Sequence, residues 1–512
     1  MQVLNNKVLL LNLRDPKKVT AVIPKSRELP DNKVAVNWGL EEAHQLKRLN
    51  IKNVPSPIVA HYNWPGQYKP FDHQKTTAAF LTLNQKAFCL NEQGTGKTGS
   101  VIWAADYLMS IGKIKRVLVI CPLSIMDSAW RADLFKFAMH RTVDIAYGNA
   151  DKRRAIIKGH AEFVIINYDG VEIVADEIAQ AGFDLIVVDE ANAYKNAQTK
   201  RWKTLYKLVM PSTWLWMLTG TPAAQSPVDA YGLAKLVNPM GVPRFFSAFK
   251  DMVMYKVSQF RWVPKESAVQ TVFSALQPAI RFTKDECLDL PEMTYVTRNV
   301  PLTPQQKKYY DLLKNRLVIQ AAGEEITALN AAVELNKLLQ ISCGAVYSDS
   351  GETIEFTIDN RYAVLKEVID EASHKVLIFV PFKHAIEIIR DRLKADGITA
   401  DVISGDVSAA KRTEIFDHFQ TKPDPRVLVI QPQAAAHGVT LTAADTIVWW
   451  GPTSSLETFA QANARVHRAG QRHPTTVVQL QGSNSEKHVY KLLNQKIDVH
   501  SKIVELYKDL LD

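Results

Sequence analysis

The stretch KAFCLNEQGTGKTGSVIWAADYLM, residues 86–109, decides how this chain is read. A short apolar run, KAFCL, passes through a loop with two glycines into a segment of helical spacing. Phosphate needs bare backbone N–H groups at close range, which Gly94 and Gly96 permit around Thr95, and a helix N-terminus whose dipole favours an anion. Lys97 would then reach the β and γ phosphates of a nucleoside triphosphate, and the Thr98 hydroxyl would ligate Mg²⁺. The usual phosphate-loop pattern has another glycine five positions before Gly96, and that position is Asn91. A strand before and a helix after are the context that supports the reading; the alternative is a chance glycine loop.

Outward from this stretch, apolar runs alternate with segments of helical spacing: RVLVICP, FVIINY, DLIVVDE and TWLWMLTG. Short, continuously apolar strands separated by helices signal a parallel sheet covered on both faces. A second series, KVLIFVP, ITADVIS, RVLVIQP, DTIVWW and TTVVQL, begins near residue 361. Two α/β lobes follow, because two sheets of about five strands are commoner than one of ten. The expected division is a small strand-bearing appendage over residues 1–60 with one helix near 41–49, a first lobe over 61–290, a helical or extended connector over 291–360, and a second lobe over 361–512. Within the connector, Thr303, Pro304 and Gln306 form a helix-start signal: N-cap, first helical position and N3.

Two more constellations carry chemistry. DLIVVDEANAYKN, residues 184–196, ends an apolar strand in adjacent carboxylates. Asp189 suits a phosphate-bound Mg²⁺, and Glu190 could take a proton from an attacking water. A strand ending in Asp and Glu also arises by accident; two such elements on what are expected to be neighbouring strands of one sheet coincide far less readily. In the second lobe, QANARVHRAGQ, residues 461–471, is expected on a helix, with Gln461, Arg465 and Arg468 on one face. Two arginines could neutralise charge developing on a γ phosphate. A solvated basic face is the plainer reading of the same spacing.

Composition sets outer bounds. With 512 residues, 46% hydrophobic and 22% charged, the chain is excluded from the collagen, coiled-coil-rod and disordered classes. A net charge of +9 favours an anionic partner over a cationic one. The four cysteines, Cys89, Cys121, Cys287 and Cys343, form no CxxC pair, so neither a zinc knuckle nor a disulfide framework is written here, and Cys89 and Cys121 are expected in the core. The longest early apolar run, residues 8–13, falls far short of the ~20 residues that cross a bilayer, and a cytoplasmic protein without membrane attachment is expected. Trp449 and Trp450 read first as packing residues, the run Lys152, Arg153, Arg154 as a solvated face, and the histidines show no metal-ligand spacing.

The ordered set GTGKT (94–98), DEAN (189–192), LTGTP (218–222) and QANARVHRAGQ (461–471) resembles the superfamily 2 helicase-like ATPases, in particular the Swi/Snf-type double-stranded DNA translocases. VLVICPLSIMDSAW with Trp130, VIINYDGV with Tyr168, YKNAQTKRWK, RFTKDECLDLPEMTYVTRNVPLTPQQKKYY, KVLIFVPF, ISGDVSAAKRTEIFDHF and AAAHGVTLTAADTIVWW are similar to further motifs of that branch, so the resemblance runs from about residue 71 to 496. It implies two RecA-like parallel-sheet lobes flanking an ATP cleft, ATP and Mg²⁺ as cofactors, and double-stranded or branched DNA as partner. By the same analogy Gln74 recognises adenine, Thr219 and Thr221 couple nucleotide to DNA, and Ser404, Gly405 and Thr440 touch phosphates. Phosphate contacts position a protein without reading bases, which suits a sequence-indifferent motor.

The chain departs from the pattern at Asn192, where the family has His, at Ala464, where it has Gly, and in AAQS after LTGTP. Asn192 does not titrate near neutral pH, so coupling between lobes is expected to differ. LTGTPAAQS and WWGPTSSLETFAQANAR are more similar to compact bacterial or bacteriophage members, or to the fork-remodelling branch. The implied function is an ATP-dependent duplex DNA translocase or remodeller acting as a monomer, nucleoid-associated or in the cytoplasm of an infected host, or nuclear in a eukaryote. Residues 1–60 offer a place for a protein partner. The alternatives are a fork-remodelling or branch-migrating helicase, an ATP-gated DNA-binding scaffold, and the motor subunit of a defence complex.

Overall fold

Where apolar residues run without a polar break, as in VLVIC and LIVV, both faces of a strand must be covered, and the chain answers with parallel strands and crossover helices. A computed structural model describes residues 1–220, 222–223, 226–257, 262–287, 290–323, 328–347, 353–435 and 439–495, the side chains at 285, 316–331 and 409 excepted. Two units result: Met1–Ala223 with Pro227–Cys287, and Ala224–Ser226 with Leu288–Asp512.

The first unit is built on a seven-stranded sheet in the order Ala279–Ile280, Lys86–Cys89, Trp214–Leu218, Leu185–Val188, Val117–Cys121, Phe163–Asn167, Val143–Ala146. Every pairing in it is parallel. Successive residues serve opposite faces: Phe88, Leu118, Val164, Ile186 and Met217 enter one core, and Cys89, Val119, Ile165, Val187 and Trp216 the other. The expectation that the phosphate-loop strand and the acidic strand are neighbours is corrected here. Trp214–Leu218 lies between them and pairs with both. A parallel crossover is free to leave a place that a later strand fills, so order along the chain does not set order in the sheet.

The N-terminal residues form a separate antiparallel sheet, in the order Gln2–Leu4, Val8–Asn12, Lys33–Asn37, Arg27–Leu29. Alternation puts Leu9, Leu11, Val34 and Val36 inward against Ala43 and Leu46 of the helix Leu40–Arg48. His44 and Lys47 of that helix fasten it to the end of the helix Asp72–Thr82 within the same unit. The His44 imidazole meets Thr82 O at 2.9 Å, and the Lys47 ammonium donates to Leu83 O and Asn84 Oδ1. One member of the expected solvated basic run is placed differently. Arg153 is buried and donates to Gly148 O, Ala146 O and Asn167 Oδ1, because three acceptors in one pocket satisfy a guanidinium that the spacing alone puts in water.

The second unit holds a six-stranded sheet, again all parallel, in the order Met293–Asn299, Thr475–Gln481, Ala444–Trp449, Lys375–Phe379, Val427–Ile430, Ala400–Ile403. Residues 291–360 supply its edge strand Met293–Asn299 and the helices Pro304–Gly323 and Ala328–Cys343. The helix start at Thr303 is a reciprocal cap: Thr303 N donates to Gln306 Oε1, and Gln306 N to Thr303 Oγ1. Trp449 and Trp450 are fully buried, their indole N–H groups donating to Asn463 Oδ1 and Cys343 O. Beside Trp450, Arg361 and Glu486 form an ion pair with both side chains out of solvent.

Candidate nucleotide-binding site

Strand Lys86–Cys89 delivers the chain to a loop that turns twice through left-handed backbone, Gly94 at φ 86° and Gly96 at φ 77°, before the helix Lys97–Ser110. A side chain at Gly96 is excluded on two counts. Its φ is positive, and a Cβ there would stand 2.1 Å from Gln74 Nε2. The FDHQ residues hold the loop from outside. His73 Nε2 meets Thr95 O at 2.8 Å, Gln74 Nε2 donates to Gly96 O at 3.4 Å, and Gln74 Oε1 caps the Phe71 amide at 2.9 Å. The Lys97 ammonium donates to Asn91 O and Glu92 O, and Thr98 sits partly exposed in the first helical turn.

Asp189 and Glu190 follow the strand Leu185–Val188 at the same edge of the sheet. Asp189 is nearly buried and both its oxygens are engaged: Trp130 Nε1 donates to Oδ2 at 2.9 Å, and the Glu190 amide to Oδ1 at 3.0 Å. Glu190 itself is left-handed, at φ 47° and ψ 56°, a conformation that costs a non-glycine residue about 1–3 kcal/mol and gathers at functional sites. The Tyr168 hydroxyl donates to Asp189 O at 2.7 Å and Glu190 O at 3.2 Å, holding the turn in that shape. Burial, then the Asp189 and Glu190 carboxylates, push the Tyr168 phenol well above its ordinary value, so it remains a donor.

Burial raises the Cys89 thiol to about 11; the Lys97 ammonium pulls the value down while the Asp189 carboxylate pushes it up. Between the two elements, strand Trp214–Leu218 ends in Thr219, fully buried with its amide on Cys89 O, and Gly220, whose added Cβ would lie 3.4 Å from Gln93 Cγ. One unit therefore brings together Gln74, Gly94, Thr95, Gly96, Lys97, Thr98, Asp189, Glu190 and Thr219. Thr221 lies outside the described residues. An oxygen-only pair, the Thr98 hydroxyl and the Asp189 carboxylate, is the donor chemistry Mg²⁺ prefers.

In the second unit the helix Leu456–Asn463 carries Gln461 but ends before the arginines, which corrects the expectation of one helical face. Arg465 and Arg468 lie in the turns that follow. There Leu441 N donates to Arg465 O, and Arg468 Nη1 donates to Val439 O at 3.0 Å, so contacts with residues 439–441 take the place of the next helical turn. Gln461 is buried with its amide on Glu457 Oε1. The Ser404 and Gly405 carbonyls accept from Arg412 Nη2, and Thr440 is exposed. Trp130 and Tyr168 stand out in the sequence only as family signatures, and His73 not at all. A lone indole or phenol in a run of apolar residues carries no local signal of the carboxylate or carbonyl it will meet.

Among known proteins, the SNF2-related domain model matches residues 33–343 and the helicase conserved C-terminal domain model residues 360–470. The zebrafish chromodomain-helicase-DNA-binding protein 1-like is 25% identical over 451 residues, covering 83% of this chain and 43% of the relative. An uncharacterised ATP-dependent helicase of Mycoplasma genitalium is 26% identical over 424 residues, covering 80% and 40%. Protein p41 of Acyrthosiphon pisum secondary endosymbiont phage 1 is 24% identical over 437 residues, covering 78% and 92%. The chain thus spans about two fifths of the first two relatives and most of the third. A solved SWI2/SNF2 ATPase core of Sulfolobus solfataricus in complex with double-stranded DNA aligns at TM-score 0.42 and 22% identity, over 87% of this chain and 94% of that one. With the SNF2-related model matching more than half of its residues and the helicase C-terminal model following in order, the chain belongs to the SNF2-related, helicase-type family.

Proposed function

We propose that this protein hydrolyses ATP in a DNA-stimulated reaction and uses it to move along duplex DNA. The observation that carries the reading is that the phosphate loop and the Asp189–Glu190 turn both follow the carboxyl ends of strands in one parallel sheet, with only strand Trp214–Leu218 between them. Amides of the loop and the N-terminus of the helix from Lys97 bind the phosphates, and Lys97 leaves its carbonyl partners to pair with them. Thr98 and Asp189 would hold Mg²⁺, which would supply charge neutralisation to the phosphates. Glu190, held by Tyr168, orients the attacking water and takes its proton. Arg465 and Arg468 supply positive charge to the transition state, and Gln74 is the residue proposed to face adenine.

The relatives' names, a helicase-DNA-binding protein and an ATP-dependent helicase, support nucleic acid as the stimulus. Thr219, Thr221, Ser404, Gly405 and Thr440 are proposed to couple the nucleotide to the DNA backbone or to touch it. The test is phosphate release with no nucleic acid, single strand, duplex, fork and RNA, followed by displacement of a third strand from an unbranched duplex. Duplex stimulation with displacement is expected. Stimulation confined to forks favours the branch-remodelling alternative, and ATP binding without stimulated turnover by any nucleic acid overturns the proposal.

A further inference from the structure

Asn91 stands where the common phosphate loop has glycine, and its side chain explains what the substitution does. Asn91 is 1% exposed. Its Nδ2 donates to Thr77 Oγ1 at 2.9 Å, and its Oδ1 accepts from the Phe282 amide at 3.0 Å. The next residue repeats the pattern: Glu92 Oε2 accepts from the Lys284 amide at 3.1 Å. These bonds prolong a backbone ladder, since Phe88 N, Leu90 N and Glu92 N donate in turn to Pro278 O, Ile280 O and Phe282 O at 2.8–3.0 Å. His73, which holds Thr95 O, presents its ring edge-on to the Phe282 ring with centroids 5.9 Å apart. Residues 278–284 are thus fastened along the phosphate-loop strand as far as the loop itself. Four residues beyond Lys284, at Leu288, the chain passes into the second unit.

The same two residues face Lys97 through their main chain. Its ammonium donates to Asn91 O at 3.0 Å and to Glu92 O at 3.3 Å. A phosphate carries full negative charge where a carbonyl oxygen carries only a partial one, so a bound phosphate draws the ammonium away. The two carbonyls it leaves belong to residues whose side chains grip the Phe282 and Lys284 amides.

We propose that Asn91 and Glu92 are positioning residues that relay occupancy of the phosphate loop to residues 281–287, the segment through which the chain leaves the first unit. The inference rests on the nucleotide-binding reading of Lys97. When Lys97 turns to phosphate, the backbone at 91–92 relaxes and the hold on the exit segment changes with it. Glycine at position 91 would bind phosphate equally well and relay less.

The test is amide hydrogen exchange over residues 279–287 of the full chain, with and without a slowly hydrolysed ATP analogue held at saturation as established by titration. In the wild type, exchange at Phe282 and Lys284 is expected to change by about tenfold on binding, the size of effect that gaining or losing an amide hydrogen bond produces. In Asn91→Ala/Glu92→Ala the change is expected to fall to within about twofold. Asn91→Asp and Glu92→Gln, which keep the acceptor oxygens, should restore it, as a merely destabilised fold would not. Identical exchange in the wild type with and without bound analogue overturns the relay, and so does a full change in the double alanine variant. A wild type that does not bind the analogue instead overturns the nucleotide reading, and the relay falls with it.

Discussion

Gly96→Ala separates the two demands that the phosphate loop makes on one residue. At φ 77° and ψ 36° the backbone is left-handed, which costs alanine about 1 kcal/mol relative to glycine. The new Cβ would also stand 2.1 Å from Gln74 Nε2 and 3.3 Å from Gln74 Cδ, so the amide must swing away. In doing so it surrenders the Phe71 N bond that caps the helix Asp72–Thr82, worth about 1 kcal/mol. Together these amount to about 2 kcal/mol, or roughly a thirtyfold loss of nucleotide affinity when the strain falls on the loop. A fluorescent ATP analogue titrated against the variant measures it, with thermal melting in parallel. Gly112→Ala is the control: φ is 70° but nothing lies within 4 Å of the added carbon, so about 1 kcal/mol of stability is lost and affinity is kept. Gly96→Ala/Gln74→Ala removes the obstructing amide, and its loss should fall short of the sum of the single losses. Wild-type affinity in Gly96→Ala, or full additivity in the pair, would show that Gln74 and the loop backbone do not set the affinity.

Glu190→Gln is expected to bind ATP normally and to lose turnover by a factor of about 10² or more; phosphate release at the wild-type rate removes Glu190 as the base. Tyr168→Phe deletes the hydroxyl that holds Asp189 O and Glu190 O, so kcat should fall about five- to tenfold with KM little changed, and a rise in KM alone would show that the tyrosine serves binding instead. Glu486→Ala leaves the buried Arg361 guanidinium without its carboxylate and should destabilise the second unit by about 3–5 kcal/mol, measured by denaturant unfolding, while the first unit still binds the ATP analogue; an unchanged midpoint would show that the pair contributes nothing net.

The phosphate loop, the acidic turn, both series of parallel strands and the cap at Thr303 were legible along the chain, because each is a local pattern: a glycine spacing, an unbroken apolar run, a hydroxyl three residues before an amide. Periodicity reaches no further than its own element. The placing of Trp214–Leu218 between the loop strand and the acidic strand depends on crossovers, which leave no mark in residue spacing. Arg465 and Arg468 continue a helical spacing in the sequence, yet the chain turns there, since residues 439–441 offer their carbonyls and amides in place of the next helical turn.

Residue spacing alone marked this chain as α/β and singled out the glycine loop and the acidic pair that are proposed here to serve a triphosphate. What holds those groups emerges on folding: Trp130 and Tyr168 on Asp189 and Glu190, His73 and Gln74 on the loop, and Asn91 and Glu92 on the segment leaving the first unit. The difference is one of range. A strand or a helix start is written within a few neighbouring residues, whereas an indole on a carboxylate 59 positions away, or an asparagine on an amide 191 positions away, exists only once folding has brought the two together.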